Sequence, residues 1–244
     1  MAAFILLLGI MPGLIWLIFY LQEDTDHEPK KEILYAFLAG TAITIVVLGV
    51  QKIFHDSVAP LLNLQVLSPL YLLALASIEE LFKFSAAYLI VSRSKYFDVP
   101  VDAMIYMIIV ALGFATIENI GALQGQLKET ALLSAVVGTA TLRFIGATLL
   151  HTLASALVGY YWAKGLISNR LFSNLLIGLI AASLLHASFN YLVLNNQEQI
   201  MYPILLLVVA AFFILNDFEK LKHGLYGGRL TSDLESKRDS KELI

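Results

Sequence analysis

Cysteine is absent from this chain, and charge is scarce. Without a thiol there is no disulfide, no thiolate zinc site and no cysteine nucleophile, and the redox state of the compartment leaves no mark on the sequence. Charged residues make up 14% of the 244 positions against 59% hydrophobic ones, whereas a soluble domain carries about 25% and 45–50% respectively. That deficit excludes a soluble globular domain. A formal net charge of -3 is too small to call for a nucleic-acid partner. Several hydrolase signatures are missing as well. There is no His-Glu-x-x-His, no Gly-x-Ser-x-Gly, and no clear Ser/Lys or paired-Asp arrangement. The first apolar run, Ala2 to Leu21, has no basic stretch before it and no clear small-residue cleavage site. It is expected to stay as a span rather than leave as a signal peptide.

What the chain does have is apolar runs of about 20 residues separated by short polar stretches, the pattern of helical membrane spans. They predict an all-α, polytopic membrane protein with seven spans, at 3–21, 33–54, 69–92, 102–123, 141–163, 171–194 and 200–216. The integral membrane domain covers 1–218, and a charged tail over 219–244, rich in Lys, Arg, Glu, Asp and Ser, is expected to be disordered and cytoplasmic. The stretch from Leu127 to Ala140 fits either a short surface helix or an extension of the fifth span. Gln22 to Lys31 is a solvent loop.

The distribution of Lys and Arg sets the orientation. With the N-terminus outside, twelve of the 16 fall in cytoplasmic loops and the tail, and only Lys52 and Lys128 lie outside. The remaining two, Lys83 and Arg143, sit within spans, and Arg143 is read as snorkelling to the outer headgroups. At about 1.5 Å per residue, Glu79 and His151 then lie roughly 15 Å below the outer surface, His186 about 12 Å and Glu118 about 8 Å. Four ionisable residues on four helices share one slab, as a common polar cavity requires.

Each of these residues alone has an ordinary explanation: a buried ion pair, an interfacial glutamate, a hydrogen-bonded packing histidine. Together they do not. Intramembrane charges are costly and mark function, and Ser77-Ile78-Glu79-Glu80-Leu81-Phe82-Lys83-Phe84 holds three in one span. Glu79 and Glu80 differ by about 100° around the helix, so one is expected to face the cavity while the other pairs with Lys83. His151 shares a helix face with Ser155, and His186 with Asn190. Two Glu and two His around one pocket can hold a divalent metal such as zinc, with Glu79, Glu118, His151 and His186 as its ligands. They can equally act without metal, a carboxylate serving as base on a water while a His and an Asn steady an oxyanion. Ligands scattered over four helices give no tight spacing signal, which tilts the reading toward the metal-free route. The same residues could also form a proton or ion relay in a transporter or channel. That alternative predicts inverted repeats and broken helices, and neither is visible; the six prolines mostly flank the spans.

At these residues the chain resembles the PrsW family of intramembrane proteases and, more distantly, the CAAX-protease/bacteriocin-processing superfamily. The elements are Glu79-Glu80-Leu81-Phe82-Lys83, Phe114-Ala115-Thr116-Ile117-Glu118-Asn119, His151 and His186-Ala187-Ser188-Phe189-Asn190, preceded by Glu28-Pro29 and Ala36-Phe37-Leu38-Ala39-Gly40. They cover about residues 12 to 195 in order. The resemblance implies a multi-pass endopeptidase of the cell membrane that cuts membrane-anchored, single-span substrates, such as an anti-sigma factor, near the extracytoplasmic side. It implies catalytic residues Glu79, Glu80, Glu118, His151 and His186, supported by Lys83, Asn119 and Asn190. Glu79 becomes the base on water, Glu80 its neighbour paired to Lys83, and His186 with Asn190 the element that holds the oxyanion. Glu118 stands where the wider superfamily commonly has a histidine, and His151 is an addition that favours a metal. The cofactor is therefore either none or one divalent ion.

Overall fold

The computed structural model describes residues 1–22, 28–92, 94–130, 132–195 and 199–223. The described residues are helical and contain no strand: α1 (Ala2–Leu21), α2 (Lys30–Ile53), a π-helical turn (Phe54–Val58) running into the short α3 (Ala59–Leu61), α4 (Pro69–Val91), α5 (Asp102–Thr130), α6 (Leu133–Leu142), a second π-helical turn (Arg143–Ala147), α7 (Thr148–Ile167), α8 (Leu171–Asn195) and α9 (Met201–His223). Six of these segments are long and apolar enough to cross a membrane. The seventh, α4, has the length, 23 residues, and carries the three charges Glu79, Glu80 and Lys83. It starts cleanly: Pro69 takes the first helical position, and the Ser68 side chain accepts the Tyr71 N–H at 3.3 Å.

The axis of the bundle is α5, apolar all round and therefore enclosed all round. Every residue from Ala103 to Ala115 is buried. Helices α1, α2 and α7 pack directly on it, α4 touches its middle, and α8 closes against α4 and α7. Where α2 crosses α5 the contact is backbone on backbone. A Cβ on Gly40 would run into the Val110 carbonyl, and one on Gly113 into the Phe37 carbonyl. In lipid, where apolar burial gives helices little reason to associate, such small-residue contacts supply the close packing. Gly40→Val is therefore expected to lower folding stability by about 1–3 kcal/mol through overpacking, read as a lower thermal midpoint in detergent. Gly49→Val, on the same helix with nothing within 4 Å of the new Cβ, is expected to leave the midpoint in place.

Three predicted boundaries move. The fourth span continues to Thr130, and the stretch before the fifth belongs to that span, because the helix starts at Leu133 and runs through the π-helical turn to Ile167. No Pro or Gly-rich break separates the two parts. The last helix extends to His223, so 219–223 are helical, held by the buried Phe218 and Leu221. The remainder of the predicted tail, 224–244, and loop positions 23–27 lie outside the described residues.

Candidate active site

From α4, Glu79 and Glu80 diverge as their offset requires. Glu80 is fully buried, and both its oxygens are satisfied. Its Oε1 accepts from Lys83 Nζ at 2.8 Å and lies 3.0 Å from His186 Nδ1, and its Oε2 accepts from Ser155 Oγ at 3.0 Å. Lys83, also fully enclosed, lies over the Phe114 ring with its ammonium 4.3 Å from the centroid. Glu79 is different. Its Oε1 accepts from Gln51 Nε2 of α2 at 2.9 Å, while its Oε2 is buried with no hydrogen bond. Among the basic side chains, Lys83 Nζ lies 3.5 Å from that oxygen, His186 Nε2 3.7 Å and His151 Nδ1 3.9 Å.

The two histidines meet edge to face, 5.0 Å between ring centroids, and their partners fix their roles. An ammonium only donates, so His151 Nδ1 accepts from Lys83 Nζ at 2.8 Å, and His151 Nε2–H donates to Glu118 Oε2 at 2.8 Å. Both ring nitrogens of His151 are thus engaged. At His186 the carboxylate of Glu80 takes the Nδ1–H, which turns Nε2 toward Glu79 Oε2. That nitrogen offers a lone pair as neutral imidazole and a proton as imidazolium. With both rings neutral the cluster holds three carboxylates (Glu79, Glu80, Glu118) against two cations (Lys83, Arg143), an excess of one negative charge.

Arg143 corrects its sequence reading. It does not snorkel away from the site. From the π-helical turn ahead of α7 it turns inward, Nε donating to Asn119 Oδ1 at 2.6 Å and Nη2 to Glu118 Oε2 at 3.3 Å. Two acceptors in the bundle outweigh exposure to headgroups, and a π-helical turn re-aims the side chain, as such turns often do at functional sites. Asn119 itself is buried behind Arg143 and donates to Thr148 Oγ1 at 3.0 Å. A cavity of about 420 Å³ opens in front of the cluster, lined at its polar end by Glu79, Glu118, Arg143, His151, His186 and Asn190. Asn119 does not line it.

Among the described residues, Glu79, Glu80, His151 and His186 bring ligand atoms that all lie within 4.8 Å of one another. Glu118, the other carboxylate of the predicted metal set, meets His151 Nε2 and Arg143. A divalent ion fits the donor chemistry of this wall. Glu79 Oε2 is a buried carboxylate oxygen without a partner, His186 Nε2 faces it, and Glu80 on the other nitrogen of His186 is the outer carboxylate that orients metal-bound imidazoles. His151 would join only by releasing Lys83 or Glu118. Sequence reasoning missed Gln51. Its signal was available, a carboxamide inside an apolar span, but only packing reveals that it meets Glu79.

A family model, PrsW family intramembrane metalloprotease, matches residues 28–216, which carries the likeness beyond residue 195 and into α9. The chain is 27% identical over 220 residues to Protease PrsW of Bacillus subtilis (strain 168), covering 88% of this chain and 94% of that one. It is 31% identical over 159 residues to Protease PrsW of Geobacillus kaustophilus (strain HTA426), 64% of each chain. Protease PrsW of Oceanobacillus iheyensis is 26% identical over 213 residues, 85% of this chain and 93% of that one. No solved structure matches. The chain belongs to the PrsW family of intramembrane metalloproteases and is itself an intramembrane protease built as a multi-pass membrane protein.

Proposed function

We propose that this protease hydrolyses a peptide bond of single-span, membrane-anchored proteins, such as an anti-sigma factor, near the extracytoplasmic side, with Glu79 as the base that activates water. One observation carries the assignment of the base: among the described residues, Glu79 Oε2 is the buried side-chain oxygen with no hydrogen bond, and Glu79 lines the cavity. A carboxylate left in that state accepts a proton from whatever water comes to it. Gln51 holds the other oxygen, so Glu79 cannot rotate away. The water oxygen attacks the substrate carbonyl as its proton passes to Glu79, and Glu79 then returns that proton to the departing amine nitrogen. Asn190 lines the cavity and offers an amide N–H to the oxyanion. His186 lines the cavity beside it, with its Nδ1 held by Glu80. Glu80, Lys83 and Ser155 keep His186 in that orientation, while Glu118 and Arg143 do the same for His151.

Glu79 and His186 are also the residues that would hold a divalent ion, with Glu80 behind His186. Bound there, zinc supplies Lewis acidity and a water acidic enough to react near neutral pH. The outer placement of the site is supported by the twelve-to-two distribution of Lys and Arg, which favours an external N-terminus and a cytoplasmic C-terminus.

Co-expression with candidate single-span substrates tests the assignment. Wild type is expected to cut, while Glu79→Ala and His186→Ala leave the substrate intact; variants that cut like wild type remove these residues from the site. Metal analysis of purified protein separates the two chemistries. Stoichiometric zinc that is lost together with activity on chelation assigns the metal route, and activity in metal-free protein assigns the glutamate route.

A further inference from the structure

The polar end of the cavity is rich in hydrogen-bond acceptors and poor in donors. Glu79 and Glu118 are carboxylates, which when ionised only accept. His151 has both ring nitrogens engaged, with Lys83 and with Glu118, and Nδ1 of His186 is taken by Glu80. That leaves two lining side chains with N–H bonds to give whatever the protonation of the imidazoles, Asn190 and Arg143. Hydrolysis needs such donors. A carbonyl oxygen carries two lone pairs, and preorganised donors act most strongly on the negative charge that gathers there in the transition state. Asn190 fills one place, and Arg143 is held ready for the second. Its Nε and Nη2 lie along one edge of the guanidinium and are spent on Asn119 at 2.6 Å and Glu118 at 3.3 Å. Nη1, at the end of the group, has no hydrogen bond to a described residue. Asn119 is buried and is itself tied to Thr148, so the guanidinium plane is fixed before substrate arrives.

We propose that Arg143 is a catalytic residue: its Nη1–H donates to the carbonyl oxygen of the scissile bond, beside Asn190, and holds that oxygen as it becomes an oxyanion. This rests on the protease reading above, with Glu79 as base, and adds to it a cation that touches the substrate. Charge decides between a carbonyl and the other group that a guanidinium commonly takes, an acidic side chain. With neutral imidazoles the cluster sets Glu79, Glu80 and Glu118 against Lys83 and Arg143 and is already negative. A substrate carboxylate would double that excess, whereas a carbonyl arrives neutral. As the water oxygen bonds to carbon, its proton passes to Glu79 and the carbonyl electron pair moves onto oxygen. The total charge of the site is unchanged, and the negative charge has moved to the atom that Arg143 holds. On collapse the pair re-forms the C=O bond, the C–N bond breaks, and Glu79 gives the proton to the departing amine nitrogen. A guanidinium stays charged through all of these steps, and its fixed plane spares the site from reorganising as charge develops.

The test uses a single-span reporter that the wild-type chain cuts in detergent micelles, its cleaved bond located by mass spectrometry. A synthetic copy carries a thioamide at that bond, whose sulfur is a poor hydrogen-bond acceptor. On the amide reporter Arg143→Gln is expected to lower kcat by about 10²–10³-fold, the loss that follows removal of one oxyanion donor, with KM changed by less than about two-fold. On the thioamide reporter the same substitution is expected to cost less than about ten-fold, because the hydrogen bond it removes is already weak there. Equal losses on the two reporters overturn the proposal, and a role confined to positioning Glu118 and His151 gives that result. A loss carried by KM overturns it as well, since it places Arg143 in ground-state binding. Where Arg143→Gln has a lowered thermal midpoint, Arg143→Lys, which keeps the charge and loses the planar fork, goes through the same comparison under the same criteria. Glu79→Gln is read in parallel. Cleavage by Glu79→Gln at the wild-type rate overturns the base and the reading that this rests on. Cleavage lost in Glu79→Gln but kept at the wild-type kcat in Arg143→Gln overturns the role of Arg143 alone.

Discussion

Glu79→Gln is expected to reduce cleavage of a membrane-anchored substrate by about 10²–10⁴-fold, the range lost when a general base is removed, with little change in stability. The geometry separates the two effects. Glutamine is the same shape as glutamate, and its carbonyl oxygen can keep the hydrogen bond from Gln51 that now ends on Oε1. The amide nitrogen then replaces Oε2, the atom that has no hydrogen bond to lose. What disappears is the basic oxygen that has no hydrogen bond. The paired variant Glu80→Gln should behave in the opposite sense, because Glu80 holds Lys83, His186 and Ser155 at once and the damage falls first on the fold. Initial cleavage rates and thermal midpoints in detergent, measured on both variants, check the split. A Glu79→Gln protein that retains more than a tenth of the wild-type rate would sink the assignment of the base.

The largest stability effect is expected at Lys83. Lys83→Met removes the ammonium from a pocket in which Glu80 is fully enclosed and Glu79 nearly so. Breaking one partner out of a buried ion pair costs about 3–5 kcal/mol, because the charge left behind has neither water nor a counter-ion. No neighbour takes over. Arg143, the other cation of the site, is committed to Glu118 and Asn119, and His151 Nδ1 loses the donor it accepts from. The variant should give a lower midpoint and a smaller monodisperse fraction on size exclusion. Lys83→Met combined with Glu80→Gln removes both charges and should recover most of the loss. A double variant as unstable as Lys83→Met alone would show that the ammonium acts through Glu79 or His151 instead, since its other ionic contacts are those two.

The comparison of sequence with structure turns on range. Helices were legible because each is a local fact: a run of about 20 apolar residues must satisfy its own backbone in lipid, and only a helix does so within one segment. The separation of Glu79 from Glu80 was legible for the same reason, since 100° per residue is a property of a single helix. The association of Glu79, His151 and His186 followed from matching depths on helices that must pack together. Contacts that depend on how one helix is rotated against another were not available. Gln51 meets Glu79 because close glycine contacts set α2 against α5 with α4 alongside. Arg143 turns inward because its helix makes a π-helical turn at that residue. Glu80 lies among Glu79, His151 and His186, while Glu118 is held by Arg143 and His151.

By itself, then, the sequence determined that this protein is a bundle of membrane-spanning helices carrying a shared set of glutamates and histidines, because apolar length and helical periodicity are local. Only the tertiary structure decided which oxygen is left without a hydrogen bond and which side chains line the cavity. Both depend on the rotation of helices about their own axes, and hydropathy carries no record of that rotation.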